Sequence, residues 1–268
     1  MKLTRKSWAF ALGLMSIASF TKAENIGEAI GKEQEQESGN YFEIGISAGM
    51  FESRIDGDTK EFHHFSWQGR YEYNGLFVEK NNDSVGVPGF AIGYELWENR
   101  DWAVDIVAIP LNGLDIDNFD RLKGSSLQNR NAVSLTGMRA TRFFDDFILQ
   151  AHVLPLGKGA FASFAAGKLW QVDNWSLSAF GALSYASEKL NDQLWSVAEQ
   201  EASETFPQFD ASNSVNASLV LRAEYPLSEN WVFQAETFAG KISSGIGDSP
   251  IFEKDTIAGF NLELKYVF

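Results

Sequence analysis

From Val215 to Tyr225 every odd-numbered residue is apolar, and the even-numbered ones are Asn216, Ser218, Val220, Arg222 and Glu224. The last segment repeats the pattern. Ala258, Phe260, Leu262, Leu264, Tyr266 and Phe268 share one face, and Gly259, Asn261, Glu263 and Lys265 the other. Similar alternation runs from Phe42 to Met50, Phe65 to Tyr73, Phe90 to Leu96, Trp102 to Ala108 and Trp175 to Tyr185. A period of two means a strand with one greasy and one polar face. Several of these segments hold it over about 11 to 13 residues. A globular strand is typically about 5–6 residues long, whereas a tilted strand needs about 9–11 to cross a bilayer. Beyond the first 23 residues nothing approaches the roughly 18 consecutive apolar residues of a spanning helix.

The connections have a rhythm of their own. Tight turns fall at Tyr73–Gly75, Glu98–Asp101, Asp145–Asp146, Asp173–Asn174 and Leu227–Asn230. Mostly longer stretches alternate with them: Ser53–Glu61, Lys80–Ser84, Asn112–Asn129, Pro155–Gly159, Ser187–Ser212 and Ser243–Asp255. Membrane barrels alternate in this way, with short periplasmic turns and long outer loops. Eleven connections imply twelve strands. The short segment Leu76–Glu79 and the ambiguous phase of Val133–Arg142 and Phe161–Val172 leave ten to fourteen open.

Tryptophan placement points the same way. Trp97, Trp102, Trp170, Trp175 and Trp231 all flank short turns. Indole settles at the headgroup level, so this set is expected to form an aromatic girdle at one membrane face. Lipid cannot satisfy an open strand edge, so the strands must close. The expected fold is all-β: a closed antiparallel transmembrane β-barrel over residues 41–268.

The preceding residues read as export and tail. Lys2, Arg5 and Lys6 precede a short apolar stretch from Trp8 to Ala18, and Thr21-Lys22-Ala23 ends in a cleavable small residue. Residues 1–23 are therefore expected to be a signal peptide cleaved after Ala23. Residues 24–40, rich in Glu and Gln, are expected to form an acidic periplasmic tail. Removing the signal's four basic residues takes the formal charge from −14 to −18. Phosphate would be repelled by such a chain, which argues against a nucleic-acid partner. With no cysteine, disulfides, thiolate metal sites and N-terminal lipid attachment are excluded.

The chain ends Tyr266-Val267-Phe268, a terminal aromatic after an alternating strand. This resembles the ending read by the barrel-assembly machinery of outer membranes, with Tyr266 and Phe268 as the assembly signal. Further motifs carry a resemblance to the MltA-interacting protein (MipA)/OmpV family. They are Gly137-Met138-Arg139-Ala140, Leu190-Asn191-Asp192, Phe209-Asp210-Ala211, the Tyr225…Leu227…Trp231 pattern and Asp248-Ser249-Pro250-Ile251. The N-terminal half departs from it: Met50–Gly57 stands where the family often has a Tyr-x-Pro-x-Tyr-x-Gly-like stretch. The resemblance implies an outer-membrane protein. For one branch it also implies a periplasmic scaffold that holds a lytic transglycosylase near a murein polymerase.

Gln68, Arg70, Glu72, Arg222, Glu224, Glu263 and Lys265 lie on the polar phase and are expected to face the lumen. Paired, they would fill a narrow barrel; left open, they would line a slender pore for small solutes. His64 and Ser66 share a strand face, the minimal arrangement for a lipid hydrolase, but no acid is spaced to orient the histidine and His152 is distant. No phosphate loop, nucleophile elbow or zinc spacing is present, so no catalytic, cofactor or metal residue is assigned. Within residues 191–212, Leu194, Val197, Ala198, Glu201 and Ala202 would share a helical face, which suggests a short helix capping the barrel mouth. The sequence thus favours a non-enzymatic scaffold or envelope-integrity protein in contact with outer-membrane lipid, with a small-solute channel as the alternative and a lipid hydrolase as a distant third.

Overall fold

The computed structural model of the protein describes residues 40–80 and 89–268. The signal peptide, its cleavage after Ala23 and nearly all of the acidic tail lie outside the described residues. Twelve strands form one sheet. They are β1 (Tyr41–Glu52), β2 (Thr59–Tyr73), β3 (Leu76–Lys80), β4 (Phe90–Asn99), β5 (Trp102–Leu111) and β6 (Val133–Phe143). The second half comprises β7 (Phe147–Gly157), β8 (Phe161–Val172), β9 (Trp175–Ala186), β10 (Ser214–Pro226), β11 (Trp231–Lys241) and β12 (Thr256–Val267). Each pairs antiparallel with its sequence neighbours, and β1 pairs with β12 from Glu43↔Val267 to Phe51↔Gly259. The sheet is a closed barrel. No described helix is long and apolar enough to cross a membrane.

Alternation sets which side chain goes where. In β10 the odd residues from Val215 to Leu221 are exposed on the outer wall, while Val220 and Arg222 are buried inside. The outer wall as a whole carries a band of exposed large apolar residues, among them Ile46 and Phe65 at 63% exposure each. A contiguous band of this size is untenable in water and is solvated by hydrocarbon. The turn between β2 and β3 is made by Asn74 (φ 52°) and Gly75 (φ 79°), two left-handed residues that match the twist of a tight hairpin.

One detail differs from the sequence reading. The β7–β8 connection is only residues 158–160, so the long-short rhythm lapses there: β7 continues through Pro155 to Gly157. β3 is five residues long, the shortest element of the wall. The strands of ambiguous phase also have a physical explanation. β6 is irregular between Thr136 and Met138, and its inward residues change from Val133 and Leu135 at the outer end to Arg139 and Thr141 at the other.

The apolar inner surface at the outer end exists because something packs on it. Helix α1 (Glu188–Trp195), in the β9–β10 connection, buries Leu190 and Leu194 in a cluster with Phe77, Val107, Ile109, Leu135, Leu154 and Phe161. Gly159 must be glycine, since a Cβ there would lie 2.6 Å from the Leu190 Cβ. A second cluster above it joins four outer connections through Ile55, Leu122, Phe206 and Ile251. The barrel's outer mouth is therefore stoppered by its own loops. Leu190→Ala should cost about 2–5 kcal/mol through the cavity it leaves. Guanidinium unfolding of the refolded barrel should read this, whereas the outward Leu183→Ala should cost much less in the same assay.

Candidate functional site

Below the stopper the lumen turns polar, because the inward phase of the strands carries charge there. One network spans β10, β11, β12, β1 and β2. The Gln68 amide donates to Glu43, and the Ser66 hydroxyl to Glu263. Lys265 Nζ donates to Glu224 at 2.7 Å and lies 3.3 Å from Glu43. Arg222 Nη2 and Nε donate to Glu236 at 2.6 and 3.0 Å. A second network spans β2 to β6. Arg70 donates to Glu72 at 2.8 Å and to Glu79 at 3.2 Å. Arg139 Nε donates to Asp105 at 2.7 Å, and its Nη1 donates to Glu79. Phe77 lies under both guanidiniums, 3.9 Å from Arg70 and 5.2 Å from Arg139. That stacking braces the short β3 through a cation–π contact.

The structure places Gln68, Arg222, Glu263 and Lys265 in the buried interior, with Arg70, Glu72 and Glu224 half-buried among them. Their partners Glu43, Glu79, Asp105, Arg139 and Glu236 were not singled out from sequence. The signal existed for Asp105, an acid on the polar phase of Val104-Asp105-Ile106, and for Arg139, inside one of the family-like motifs. Trp97, Trp102, Trp170, Trp175 and Trp231 are exposed on the wall beside the short turns. Trp231 meets Tyr266 edge-on at 5.2 Å, and Tyr266 meets Phe268 at 4.9 Å. Phe268 lies 5.6 Å from Phe42, and its N–H donates to the Phe42 carbonyl. An aromatic row thus crosses the β12–β1 seam.

His64 and Ser66 are not brought together. His64 Nε2 lies 3.1 Å from the Ser47 hydroxyl on β1, while Ser66 is engaged by Glu263. His152 bonds Ser163 at 3.2 Å, a separate pair. In the outer stopper the helix sits earlier than the sequence suggested. It spans Glu188–Trp195, and of the five residues expected on its face only Leu194 belongs to it. The chain leaves the helix at Ser196, whose hydroxyl accepts the Ala211 N–H at 2.8 Å, and Val197 pairs with Phe209 in an isolated bridge. These cross-links to the returning strand end the helix.

Glu201 instead accepts from Arg130, with both carboxylate oxygens engaged at 2.7 Å, and from the N–H groups of Gln128 and Ala198. Burial alone would raise its pKa. Arg130 and the two backbone donors outweigh burial and hold it below the ordinary carboxylate range. Asn191, fully buried, donates to the Ala186 and Ser212 carbonyls and to Ser214 Oγ, which ties both ends of the loop to the barrel rim.

A closed twelve-stranded antiparallel barrel with a greasy exterior and a charged interior has the fold of an outer-membrane β-barrel. The family described as MltA-interacting protein MipA has a sequence model that matches residues 44–268, so the chain belongs to that family. No curated protein matches it in sequence. Among solved structures it is similar to the NanC porin, with a TM-score of 0.46 and 6% identity over 83% of this chain and 98% of the other. It is also similar to a loop-deleted OmpT of Vibrio cholerae, with TM-score 0.41 and 8% identity over 85% and 98% of the two chains. The DcaP channel of Acinetobacter baumannii gives a TM-score of 0.40 and 10% identity over 89% and 99%.

Two outcomes follow from the networks. Arg139→Ala strands Asp105 inside the lumen, leaves Glu79 with Arg70 alone, and should cost about 3–5 kcal/mol. An Arg139→Met/Asp105→Leu pair should recover most of that in guanidinium unfolding, because apolar replacement of a buried ion pair is often neutral or stabilising. For Glu201, a folded pKa below the unfolded value of about 4.3 means its contribution is complete above that value and fades as pH falls through the folded one. Protease cleavage within residues 187–213 should therefore accelerate only below about pH 4, and Glu201→Gln should remove that dependence while raising the rate at neutral pH.

Proposed function

We propose that the protein is a closed, non-enzymatic barrel of the outer membrane that serves as an anchor for murein-synthesising or murein-cleaving enzymes in the periplasm. The observation that carries this reading is the double closure of the lumen. Helix α1 and the joined outer loops occupy the mouth, and paired charges cross the inner half. A conducting pore would need a continuous wet path, and opening one here means undoing both layers. What remains for such a barrel to offer is its surface, above all the turns and the aromatic row at the short-turn end. The family's own description, an MltA-interacting protein, supports a partner that acts on murein. In this reading the Trp set is the periplasmic girdle, and Tyr266 with Phe268 addresses the chain to the barrel-assembly machinery.

Two measurements test it. In planar bilayers the full chain should give no steady openings, and after in-vivo cross-linking its affinity capture should retrieve a lytic transglycosylase together with a murein polymerase. Regular ion-selective openings, with no murein enzyme captured, would overturn the anchor reading in favour of a small-solute channel.

A further inference from the structure

The outer wall is not uniform. A groove of about 540 Å³ crosses the β12–β1 seam, lined chiefly by Ile46, Ala48, His63, Phe233, Leu262 and Leu264. Strand register explains it. Ala235 on β11, Leu262 on β12, Ala48 on β1 and His63 on β2 stand side by side as one outward row. The row below holds Phe233 and Ile46, and the row above holds Phe260 and Met50. Ala48 on β1, flanked on its own strand by Ile46 and Met50, leaves a dip between Leu262 and His63, and that dip is the trough.

The trough is oblique to the membrane. On β11, Phe233 lies two residues from Trp231 at the short-turn end, whereas on β2, His63 lies ten residues from Tyr73 at the same end. At about 3.3 Å per residue and a tilt of about 45°, these are heights of about 5 Å and about 23 Å within an apolar band about 25 Å tall. The trough therefore climbs from the inner part of the hydrocarbon to its outer boundary. At the upper end is His63, a polar ring exposed on the greasy face with no hydrogen bond to a described residue. A donor and acceptor facing lipid is costly unless something bonds it.

We propose that this trough seats one acyl chain of an outer-leaflet glycolipid, with the chain directed toward the midplane and a hydroxyl or amide at its root bonded to His63. The lining is apolar along the chain's course, and the single hydrogen-bonding side chain stands where the chain would meet its headgroup. Glu61, the next outward residue of β2 beyond His63, disfavours a bare phosphate at that point, so a neutral hydrogen-bonding group fits better than a phosphodiester. The assignment rests on the reading above that the long loops lie outside the cell.

Native mass spectrometry of the full chain in detergent tests it, with purified lipid A in one arm and dimyristoyl phosphatidylethanolamine in the other. The wild type should retain one lipid A per barrel. Ala48→Trp, which fills the trough, should cut retention at least tenfold. His63→Ala should cut it several-fold, and His63→Gln should hold it near the wild-type level. Equal retention by wild type and Ala48→Trp overturns the proposal, as does phosphatidylethanolamine held as firmly as lipid A. The heat-induced gel shift of folded barrels is checked for each variant, and Ala48→Leu takes the place of Ala48→Trp if that variant lacks it. A wild type that shifts and partitions with membranes yet retains no lipid A refutes the trough alone; one that stays in the aqueous fraction refutes the membrane reading itself.

Discussion

Closure of the β1–β12 ladder is the condition on which everything else depends. Hydrocarbon offers no hydrogen bonds, so each backbone N–H and C=O within the band must find its partner in the sheet. The chain meets this by pairing its first strand with its last, Ile44 opposite Tyr266 and Ala48 opposite Leu262. The seam is also where the side chains are most closely tied. Glu43, Lys265, Glu224 and Gln68 join β1 to β12, β10 and β2 from inside, and Tyr266, Phe268 and Phe42 join the two ends from outside. A hairpin can rely on local sequence to find its register. A pairing between residues more than two hundred positions apart cannot, and this one is held on both faces of the wall.

Once closed, the barrel must fill its interior, and it does so in two ways that divide along its height. Near the short turns the inward residues are charged and mostly paired with one another, because buried charge is tolerable only when paired. Near the long loops they are apolar, and a helix from the chain itself supplies the matching surface. The halves meet at Phe77, which packs in the apolar cluster and lies beneath Arg70 and Arg139. Phe77 thus couples the two halves through one side chain.

This division also explains what was legible in the sequence. β10 and β12 showed clean alternation because their inward faces are polar for most of their length: Arg222 and Glu224 in one, Asn261, Glu263 and Lys265 in the other. β6 and β8 blurred because α1 lies against them. Val133, Leu135 and Phe161 face inward yet are apolar, and the period of two loses its contrast where both faces are greasy. The helix itself was misplaced for a related reason. Its buried face is Leu190, Asn191 and Leu194, and a buried asparagine bonded to three groups of the rim is invisible to a rule that counts apolar residues. The partners of the predicted lumen residues were missed because they depend on register: Glu43, Glu79 and Glu236 stand directly opposite Gln68, Arg70 and Arg222 on neighbouring strands. Only the Arg139–Glu79 pair, on β6 and β3, needs the curvature of the closed sheet.

The same curvature limits what such a barrel can be used for. A wall whose interior is stitched across non-adjacent strands, as Lys265 on β12 is to Glu224 on β10, resists the strand separation and loop withdrawal that gating would need. On the anchor reading, that rigidity serves to present surfaces: tight turns at one end, fused loops at the other, and an outer band whose relief is set by register. At Ala48 that relief dips between Ile46 and Met50, and a neighbouring lipid chain has the chemistry to fill it. On the proposed reading, a lumen filled by its own side chains and loops leaves recognition to the outside of the wall.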